Sequence, residues 1–338
     1  MPETIIIGGE SFLATDRYSA VGYRKLTSGG FETVKTKSNI ERLLEAGKFV
    51  VTSECGPPRG VNPEVIREKG ALLKGVVDAV NVTDNQTSIV RMSSISACLI
   101  LKEMGIDPIW QVVCRDRNRI AIQSDILGAA ALGINNILCL SGDHQSFGDN
   151  PNAKNVYDID STQLVATIKL MRDEGRFLGG DEIKGRPELF IGAAENPFGD
   201  PFEIRAMRLG KKIQAGCEFI QTQGIYNLEK FTKWMEMVRD LGLHEKCAIL
   251  AGVIPLKSAG MAKYMKTSVP GMDIPDELIN RLKGVPKEKQ GEEGIKICVE
   301  QIEYVKQIPG VRGVHVMAIE WEEKVAEIVK AAGLSPRP

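Results

Sequence analysis

Eight short apolar segments alternate with helical segments along most of the chain, and this alternation constrains the fold more than any other feature. The segments are rich in β-branched and aliphatic residues, which is typical of strands covered on both faces of a parallel sheet. Eight strand–helix units are the number that closes a parallel barrel, so we predict an α/β fold, a (β/α)8 or TIM barrel. The predicted strands cover residues 49–51, 79–83, 108–113, 136–140, 189–194, 219–222, 248–253 and 314–317.

The residues before the first strand are polar and contain several glycines, so we predict an N-terminal extension over residues 1–47 and the barrel over residues 48–338. The extension has one predicted helix, for which Ser38 and Glu41 have the spacing of a capping box. A long polar loop covers residues 145–158, and loops of this length within a compact domain are usually functional. Nothing in the sequence marks a second large domain.

Composition excludes several classes of function. The formal net charge is −1, whereas proteins that bind nucleic-acid backbones normally carry a basic surplus. No apolar run is long enough to span a bilayer, and no basic region precedes the short apolar run at residues 5–7, so we predict neither a membrane span nor a secretory signal. The seven cysteines lie far apart without a Cys-x-x-Cys pair, which fits a reduced, cytoplasmic protein without its own zinc or iron–sulfur site.

The three histidines, His144, His244 and His315, share no spacing typical of metal ligands, so no metal site is predicted. His315 lies within a predicted strand and is expected to be a core residue. No Gly-x-Gly-x-x-Gly sequence opens a predicted helix, which argues against a Rossmann dinucleotide site. Phosphate groups could still bind helix N-termini or basic side chains, although solvated surface is the simpler explanation for each candidate. The candidates are Arg115, Arg117, Arg119, Lys211 and Lys212.

Polar side chains follow most of the predicted strands, at the ends where barrel enzymes carry their chemistry. Glu54 comes first, just before a break in the strand at Gly56-Pro57-Pro58. A charge at this position is costly unless it is paired or used, so Glu54 is either in an ion pair, for example with Arg59, or functional. The other residues at strand ends, each of which could instead cap a helix, are Thr83, Asp84, Gln111, Asp143, His144, Glu195, Asn196, Gln221 and Gln223.

Three short motifs together resemble the methylenetetrahydrofolate reductase family. They are Ser53-Glu54 with Pro57-Pro58-Arg59, then Leu140-Ser141-Gly142-Asp143, then Thr222-Gln223 soon after Ala215-Gly216. The match runs from about Lys48 to the C-terminus. The resemblance implies a flavoprotein on a (β/α)8 barrel that binds flavin and folate. Its activity would be the reduction of 5,10-methylenetetrahydrofolate to 5-methyltetrahydrofolate by hydride transfer from reduced flavin.

The resemblance also implies roles for individual residues. Glu54 would be the general acid that protonates a folate nitrogen, and burial at a barrel mouth raises the pKa of a Glu toward neutrality, which suits that role. Asp143 would lie near both the flavin and the folate. Gln223, with Gln221 beside it, would bind the substrate. The flavin contacts would be Thr83, Gln111, Asp143, Asn196 and Lys212.

The chain departs from the family pattern in three places. Gln111 replaces a histidine, Glu195-Asn196-Pro197-Phe198 replaces a Tyr-Pro…His-Pro-Glu run, and Gly224-Ile225 replaces an aromatic pair, with Tyr226 one step later. These departures leave open whether the flavin is FAD or FMN. They also leave open whether NAD(P)H or an iron–sulfur partner subunit is the electron donor. We further expect an oligomer, with no nucleic-acid partner.

Two other functions remain open for the same residues. One is a pterin-binding barrel that transfers methyl groups without redox chemistry. The other is a non-catalytic barrel subunit that docks an electron-transfer protein. A yellow purified protein would support the reductase and would count against both of these alternatives.

Overall fold

A computed structural model describes residues 4–7, 10–13 and 35–338, and the chain divides into two compact units, Met1–Glu32 and Thr33–Pro338. In the first unit, strands β1 (Thr4–Ile7) and β2 (Glu10–Leu13) pair antiparallel, with Thr4 opposite Leu13. Only one helix was predicted before residue 47, so this pair of strands was missed. Gly8 and Gly9 separate the two strands, and paired glycines are a common signal of a tight hairpin turn.

Eight parallel strands form a closed barrel in the second unit, and each strand pairs with the next one along the chain. The last strand pairs with the first, with Val314 opposite Val51, and so closes the barrel. The predicted (β/α)8 barrel is therefore confirmed. The strands are β3 (Val50–Cys55), β4 (Ala79–Val82), β5 (Pro108–Val113), β6 (Asn136–Leu140), β7 (Phe190–Glu195), β8 (Phe219–Gly224), β9 (Ala248–Val253) and β10 (Val311–Val316).

The observed strands β5, β6 and β9 have the predicted bounds, and the others differ at their ends. Strands β7 and β8 extend further than predicted because their ladder continues into polar residues, with Glu195 opposite Thr222. Strand β10 begins at Val311, three residues early, and an irregularity between Val311 and Gly313 interrupts its pairing with β9. Polar residues expected in loops therefore lie on the strands themselves.

Helices cover the outside of the barrel, and most of them follow the predicted alternation. Helix α8 was not predicted; the Ser258 hydroxyl begins it by accepting a hydrogen bond from the Met261 N–H at 3.1 Å. No helix among the described residues is long and apolar enough to cross a membrane. The helices are α1 (Asn39–Glu45), α2 (Glu64–Leu73), α3 (Ser94–Glu103), α4 (Arg119–Ala131), α5 (Ser161–Lys169), α6 (Arg205–Ala215), α7 (Leu228–Asp240), α8 (Ala259–Ser268), α9 (Asp276–Lys283), α10 (Gln290–Val305) and α11 (Val325–Ala331).

Helix α1 closes the N-terminal end of the barrel. Its apolar residues Ile40, Leu43 and Leu44 are buried in one cluster with inward-facing strand residues, including Phe190 and Phe219, whose rings stack 5.0 Å apart. The domain boundary at residue 47 stays a prediction, but α1, which lies before it, packs on the barrel. The barrel interior is thus filled with apolar side chains at this end and contains no open pore there.

The start of α1 follows the predicted cap only in part. The Ser38 hydroxyl accepts a hydrogen bond from the Glu41 N–H at 3.0 Å, as expected of an N-cap residue. The Glu41 carboxylate does not complete the capping box. It accepts instead from the backbone N–H groups of Lys35 and Thr36, at 2.9 and 3.0 Å.

The inward-facing strand positions change from apolar to polar toward the C-terminal end of the barrel. In β3 these positions are Val50, Thr52 and Glu54, because alternate strand residues face the same side. In β8, Gln221 and Gln223 occupy the equivalent polar positions. The interior therefore has an apolar base and a polar upper layer that opens at the end where barrel enzymes carry their sites.

Candidate active site

The polar layer opens into a cavity of about 350 Å³ at the C-terminal end of the barrel. This volume lies within the range of about 300–1,000 Å³ that is common for small-molecule sites. Six of the predicted site residues line the cavity: Glu54, Gln111, Asn196, Lys212, Gln221 and Gln223. Two of the predicted residues, Asp143 and Thr83, do not.

Glu54 stands at the C-terminal end of β3, with Asn81 of β4 as its neighbour in the sheet. Its carboxyl group has no hydrogen-bond or ion-pair partner among residues 35–338. The suggested ion pair with Arg59 is wrong, because the Arg59 guanidinium lies 2.7 Å from the Asp149 carboxylate instead. Glu54 therefore remains available for a ligand in the cavity.

The environment of Glu54 favours its protonated form. Burial and, to a lesser extent, the nearby negative charge of Glu322 raise the pKa of Glu54 from 4.5 to about 7, against the lowering effect of Lys69 and Arg91. A carboxyl group with a pKa near 7 holds a proton part of the time at neutral pH and releases it readily. Those are the properties of a general acid.

Below Glu54, a hydrogen-bonded network crosses the barrel interior. Asn81 and Gln221 form a reciprocal amide pair, in which Gln221 Nε2 donates to Asn81 Oδ1 at 3.0 Å. Gln221 Nε2 also donates to the Thr52 hydroxyl at 3.2 Å, and that hydroxyl lies 2.9 Å from His315 Nδ1. The network fixes the side chain of Gln221. Its amide group makes hydrogen bonds to Asn81 and Thr52, so it has little capacity left for a ligand.

His315 lies in the barrel interior, as predicted, and it also lines the cavity. Burial lowers the pKa of His315 from 6.5 to about 3, so the imidazole is neutral at physiological pH. The Thr52 hydroxyl has one hydrogen and two lone pairs, so it can bond to His315 Nδ1 while it accepts from Gln221. His315 therefore completes a neutral polar layer under the carboxyl group of Glu54.

The two remaining glutamines present free amide groups to the cavity. The side chain of Gln111 makes no hydrogen bond within the described part of the chain, although it is buried. Gln223 Oε1 accepts from the Gly224 N–H at 3.1 Å, which leaves its Nε2 group without a partner in residues 35–338. An amide offers both donors and acceptors, so this pair can bind a polar heterocycle edge-on.

Lys212 is buried and ion-paired at one side of the cavity. Its Nζ lies 2.7 Å from Glu195 Oε2 and also donates to the backbone carbonyl of Ala194. Glu195 Oε1 accepts from the Asn196 N–H at 3.1 Å. Since an ammonium group has three donors, one of them remains for a ligand.

Sequence reasoning missed two further cations on helix α6, Arg205 and Arg208, which also line the cavity. Arg205 donates to the backbone carbonyls of Gly199 and Asp200, whereas Arg208 has no partner among the residues described. The signal was present in the sequence. Arg205, Arg208 and Lys212 are spaced three and four residues apart, which places them on one helix face.

Asp143 lies on the exposed loop after β6 and does not reach the cavity. Its Oδ2 accepts from the Thr87 N–H at 3.1 Å. Gly142 has φ +89°, and a Cβ added there would lie 3.1 Å from the Val113 side chain, so the chain turns outward at this point. The expected position of Asp143 beside the other site residues is therefore not observed.

Thr87 belongs to a loop with unusual backbone geometry. Asn85, Thr87 and Ser88 all have positive φ values, at 44°, 57° and 58°, which is uncommon for residues other than glycine. Such strain persists only where surrounding contacts hold it, and the Asp143 carboxylate supplies one of them. In this structure the Asp143 carboxylate thus contacts this loop and not the cavity.

Thr83, directly after β4, is buried, and its Oγ1 has no hydrogen-bond partner among the residues that the structure describes. The neighbouring Asp84 is committed to structure: it accepts from the Val113 N–H at 3.1 Å and from Arg117 at 2.6 Å. Arg115 and Arg119, the other phosphate candidates on this side, are paired with Asp116 and Asp158 at 2.7 and 2.8 Å. All three arginines are therefore in ion pairs.

Comparison with known proteins connects this barrel to a family. The family model described as Methylenetetrahydrofolate reductase matches residues 39–333. A probable methylenetetrahydrofolate reductase (NADPH) of Caenorhabditis elegans is 24% identical over 87% of this chain and 44% of its own length. Methylenetetrahydrofolate reductase 2 of Schizosaccharomyces pombe is 28% identical over 73% of this chain and 39% of its own. The chain thus spans less than half the length of these curated relatives.

A solved structure shares the fold. It is an uncharacterized protein from Clostridium thermocellum that binds two copies of 5-methyl-5,6,7,8-tetrahydrofolic acid. Its TM-score is 0.60 at 14% sequence identity, and the match covers 88% of this chain and 98% of that one. The family model covers most of the barrel, and the resemblance seen in the sequence motifs is confirmed. The chain belongs to the methylenetetrahydrofolate reductase family.

Proposed function

We propose that the protein reduces 5,10-methylenetetrahydrofolate to 5-methyltetrahydrofolate with a bound flavin. The observation that carries the proposal is the unpaired Glu54 carboxyl group, with its pKa raised to about 7, in a ligand-sized cavity of a chain of this family. A barrel that only docked a partner would not need a carboxylic acid of this kind, and a bound flavin would distinguish the reductase from a barrel that only transferred methyl groups.

The cavity lining fits a flavin, the cofactor on which this family depends in general. Gln111 offers its amide group and Gln223 its Nε2 group to a heterocycle. Thr83 lies outside the cavity lining, but its buried hydroxyl also has no partner in the described residues. Arg208 and the remaining donor of Lys212 suit a phosphate group. When bound, the flavin supplies the hydride. Asp143 and Asn196 complete the proposed contacts; for Asp143 this requires its loop to move.

The protein's own contribution is to deliver a proton and to position the substrate. The substrate holds one carbon between two nitrogens and accepts hydride only after one C–N bond has opened. Glu54 would donate its proton to the leaving nitrogen, which contributes about 10²- to 10⁴-fold in rate for a well-placed acid. Gln223, with its free Nε2, would hold the pterin, and Gln221 would support it through the Asn81 pair.

We further propose that a protein partner containing an iron–sulfur cluster reduces the flavin, in place of NAD(P)H. No Phe, Tyr or Trp side chain lines the cavity among the described residues, and Ile225 and Tyr226 are buried elsewhere in the core. The cavity lining thus lacks the aromatic pair on which a nicotinamide would be expected to stack. All seven cysteines are free and buried, which fits our proposal of a cytoplasmic protein. We also propose that the protein forms an oligomer.

The test begins with the purified chain. Heat-released supernatant should contain FAD or FMN in near-equal amount to protein, and its mass identifies which one. The bound flavin, reduced anaerobically with dithionite and mixed with 5,10-methylenetetrahydrofolate, should become oxidised as 5-methyltetrahydrofolate forms in equal amount. A colourless protein that takes up neither flavin would contradict the proposal and leave the two non-redox alternatives.

A further inference from the structure

A second, smaller cavity adjoins Glu54, which also lines the main cavity. Its volume is about 40 Å³, and Glu54, Lys69, Arg91 and Glu322 are among its lining residues. A water molecule requires roughly 10–15 Å³ of such space and several polar partners, so this cavity has room for water. The two linings share Glu54 and otherwise consist of different residues.

An ion pair bridges two distant segments at this small cavity. Lys69, on helix α2, places its Nζ 2.6 Å from Glu322 Oε1, in the turn after β10. Their side chains are 21% and 8% exposed, so both charges are largely removed from water. Burying such a pair costs desolvation energy and adds little net stability. Stability alone therefore does not explain why the pair lies at the same small cavity as Glu54.

Neither residue of the pair lines the main cavity, so neither is placed to touch the substrate or the flavin. Both nonetheless act on Glu54 through space. The negative charge of Glu322 raises the pKa of Glu54, and the positive charge of Lys69 lowers it. The two residues of the pair therefore shift the pKa of Glu54 in opposite directions, and neither of them lines the main cavity.

We propose that Lys69 and Glu322 are positioning residues for Glu54: the pair holds a balanced set of charges near the carboxyl group, so that it keeps its proton until the substrate takes it. This inference rests on the proposed role of Glu54 as the acid. Lys69 holds the Glu322 side chain in place through the 2.6 Å ion pair, and Glu322 in turn disfavours a second negative charge on Glu54.

Other charged groups also face Glu54 and must stay constant in any test. His315 is neutral and belongs to the barrel interior. From the loop after β4 comes Arg91, whose Nη1 donates to the Pro57 carbonyl at 3.0 Å, and from the loop after β10 comes Glu320. Across the main cavity lie Glu195, Lys212, Arg205 and Arg208. The Lys69–Glu322 pair can be changed without altering a residue of the main cavity.

The test compares Glu322→Gln with the double variant Glu322→Gln/Lys69→Met in the flavin-loaded full chain. The first readout is the pH dependence of flavin oxidation by 5,10-methylenetetrahydrofolate. Glu322→Gln should move the high-pH limit of that reaction down by about one pH unit, a tenfold loss of rate above the limit. The double variant, which removes both charges, should shift it less. Glu327→Gln, in the exposed pair with Lys324, is the control and should shift nothing.

The second readout needs no catalysis. The carboxyl stretch of protonated Glu54, identified by its absence in Glu54→Gln, should titrate at lower pH in Glu322→Gln by infrared spectroscopy. An unshifted band in Glu322→Gln, or an equal shift in the double variant, would overturn the inference. A uniform loss of rate at every pH without a shift, as expected of a purely structural pair, would overturn it as well. If the band shifts but folate does not react, only the proposed function fails.

Discussion

The ammonium nitrogen of Lys212 lies 2.7 Å from the carboxylate of Glu195, so the cation proposed to contact the flavin already has a buried anionic partner. Both residues are buried. Two functions are therefore combined in one side chain: neutralising Glu195, and presenting one remaining donor to the cavity. A simple deletion of Lys212 would disturb both at once.

We predict that the two functions can be separated by a pair of variants. Lys212→Met leaves Glu195 buried and unpaired and should lower the free energy of unfolding by about 3–5 kcal/mol in urea titrations. Lys212→Met/Glu195→Gln removes both charges and should recover most of that loss. Flavin affinity should remain about tenfold weaker in the double variant, because the donor is still absent. Full recovery of flavin affinity would show that Lys212 is only structural.

The sequence predicted much of the barrel and several residues of the polar layer. Apolar strand segments identify the barrel because a parallel sheet is covered on both faces, and the strand ends identify where the chemistry lies. Glu54, Gln221 and Gln223 were found in this way. The period of two along β3 would also have pointed to Thr52, which lies two residues before Glu54 on the inward face.

The rest depended on tertiary contacts. Glu54 lies on β3 itself, whereas Asp143 lies in the loop beyond the end of β6, and its carboxylate contacts a neighbouring loop. Lys69 and Glu322 meet only because β10 closes the barrel beside β3. No local pattern in the sequence marks either residue, since both look like ordinary polar residues of helical segments.

The neutral, buried His315 predicts a loss of stability in acid. Its pKa is about 3 in the folded protein and near 6.5 when unfolded, so the unfolded state binds the proton first as the pH falls. The contribution of His315 to stability is therefore present above pH 6.5 and is lost between pH 6.5 and 3, by up to about 1.4 kcal/mol per pH unit. Chemical denaturation at several pH values measures this slope.

His315→Gln, which does not titrate, should flatten that slope relative to the unsubstituted protein. Thr52→Val is the matched control: it removes the hydroxyl 2.9 Å from His315 Nδ1 but keeps the imidazole. It should lower stability at all pH values and retain the slope. An equal slope in His315→Gln and the unsubstituted protein would show that another group causes the acid sensitivity.

The absence of Phe, Tyr and Trp side chains from the described cavity lining predicts a poor reaction with nicotinamides. NADH or NADPH should reduce the bound flavin no faster than it reduces free flavin in the same buffer. A small reduced iron–sulfur protein should reduce it in rapid mixing, and dithionite serves as the control that the flavin is accessible. Rapid reduction by NADPH in the isolated chain would contradict the partner proposal and leave the folate reaction untouched.

Glu54 has consequences for stability that can be measured without any ligand. Because burial raises its pKa from 4.5 to about 7, the folded protein binds this proton more tightly than the unfolded chain. Stability is therefore lost as the pH rises from about 4.5 to 7. Glu54→Gln has no proton to lose and should be the more stable protein above pH 7, by roughly 3 kcal/mol, with no difference below pH 4.5. A less stable variant at high pH would indicate a structural ion pair.

The same substitution gives the sharpest test of mechanism. Glu54→Gln keeps the shape of the side chain and removes the proton it donates, so flavin binding and flavin reduction should survive. Oxidation of the reduced flavin by 5,10-methylenetetrahydrofolate should slow by at least about 100-fold, the usual contribution of a general acid. Rapid-mixing absorbance of the flavin, recorded separately with the electron donor and with folate, distinguishes the two half-reactions. Equal slowing of both, or of neither, would mean that Glu54 is not the acid.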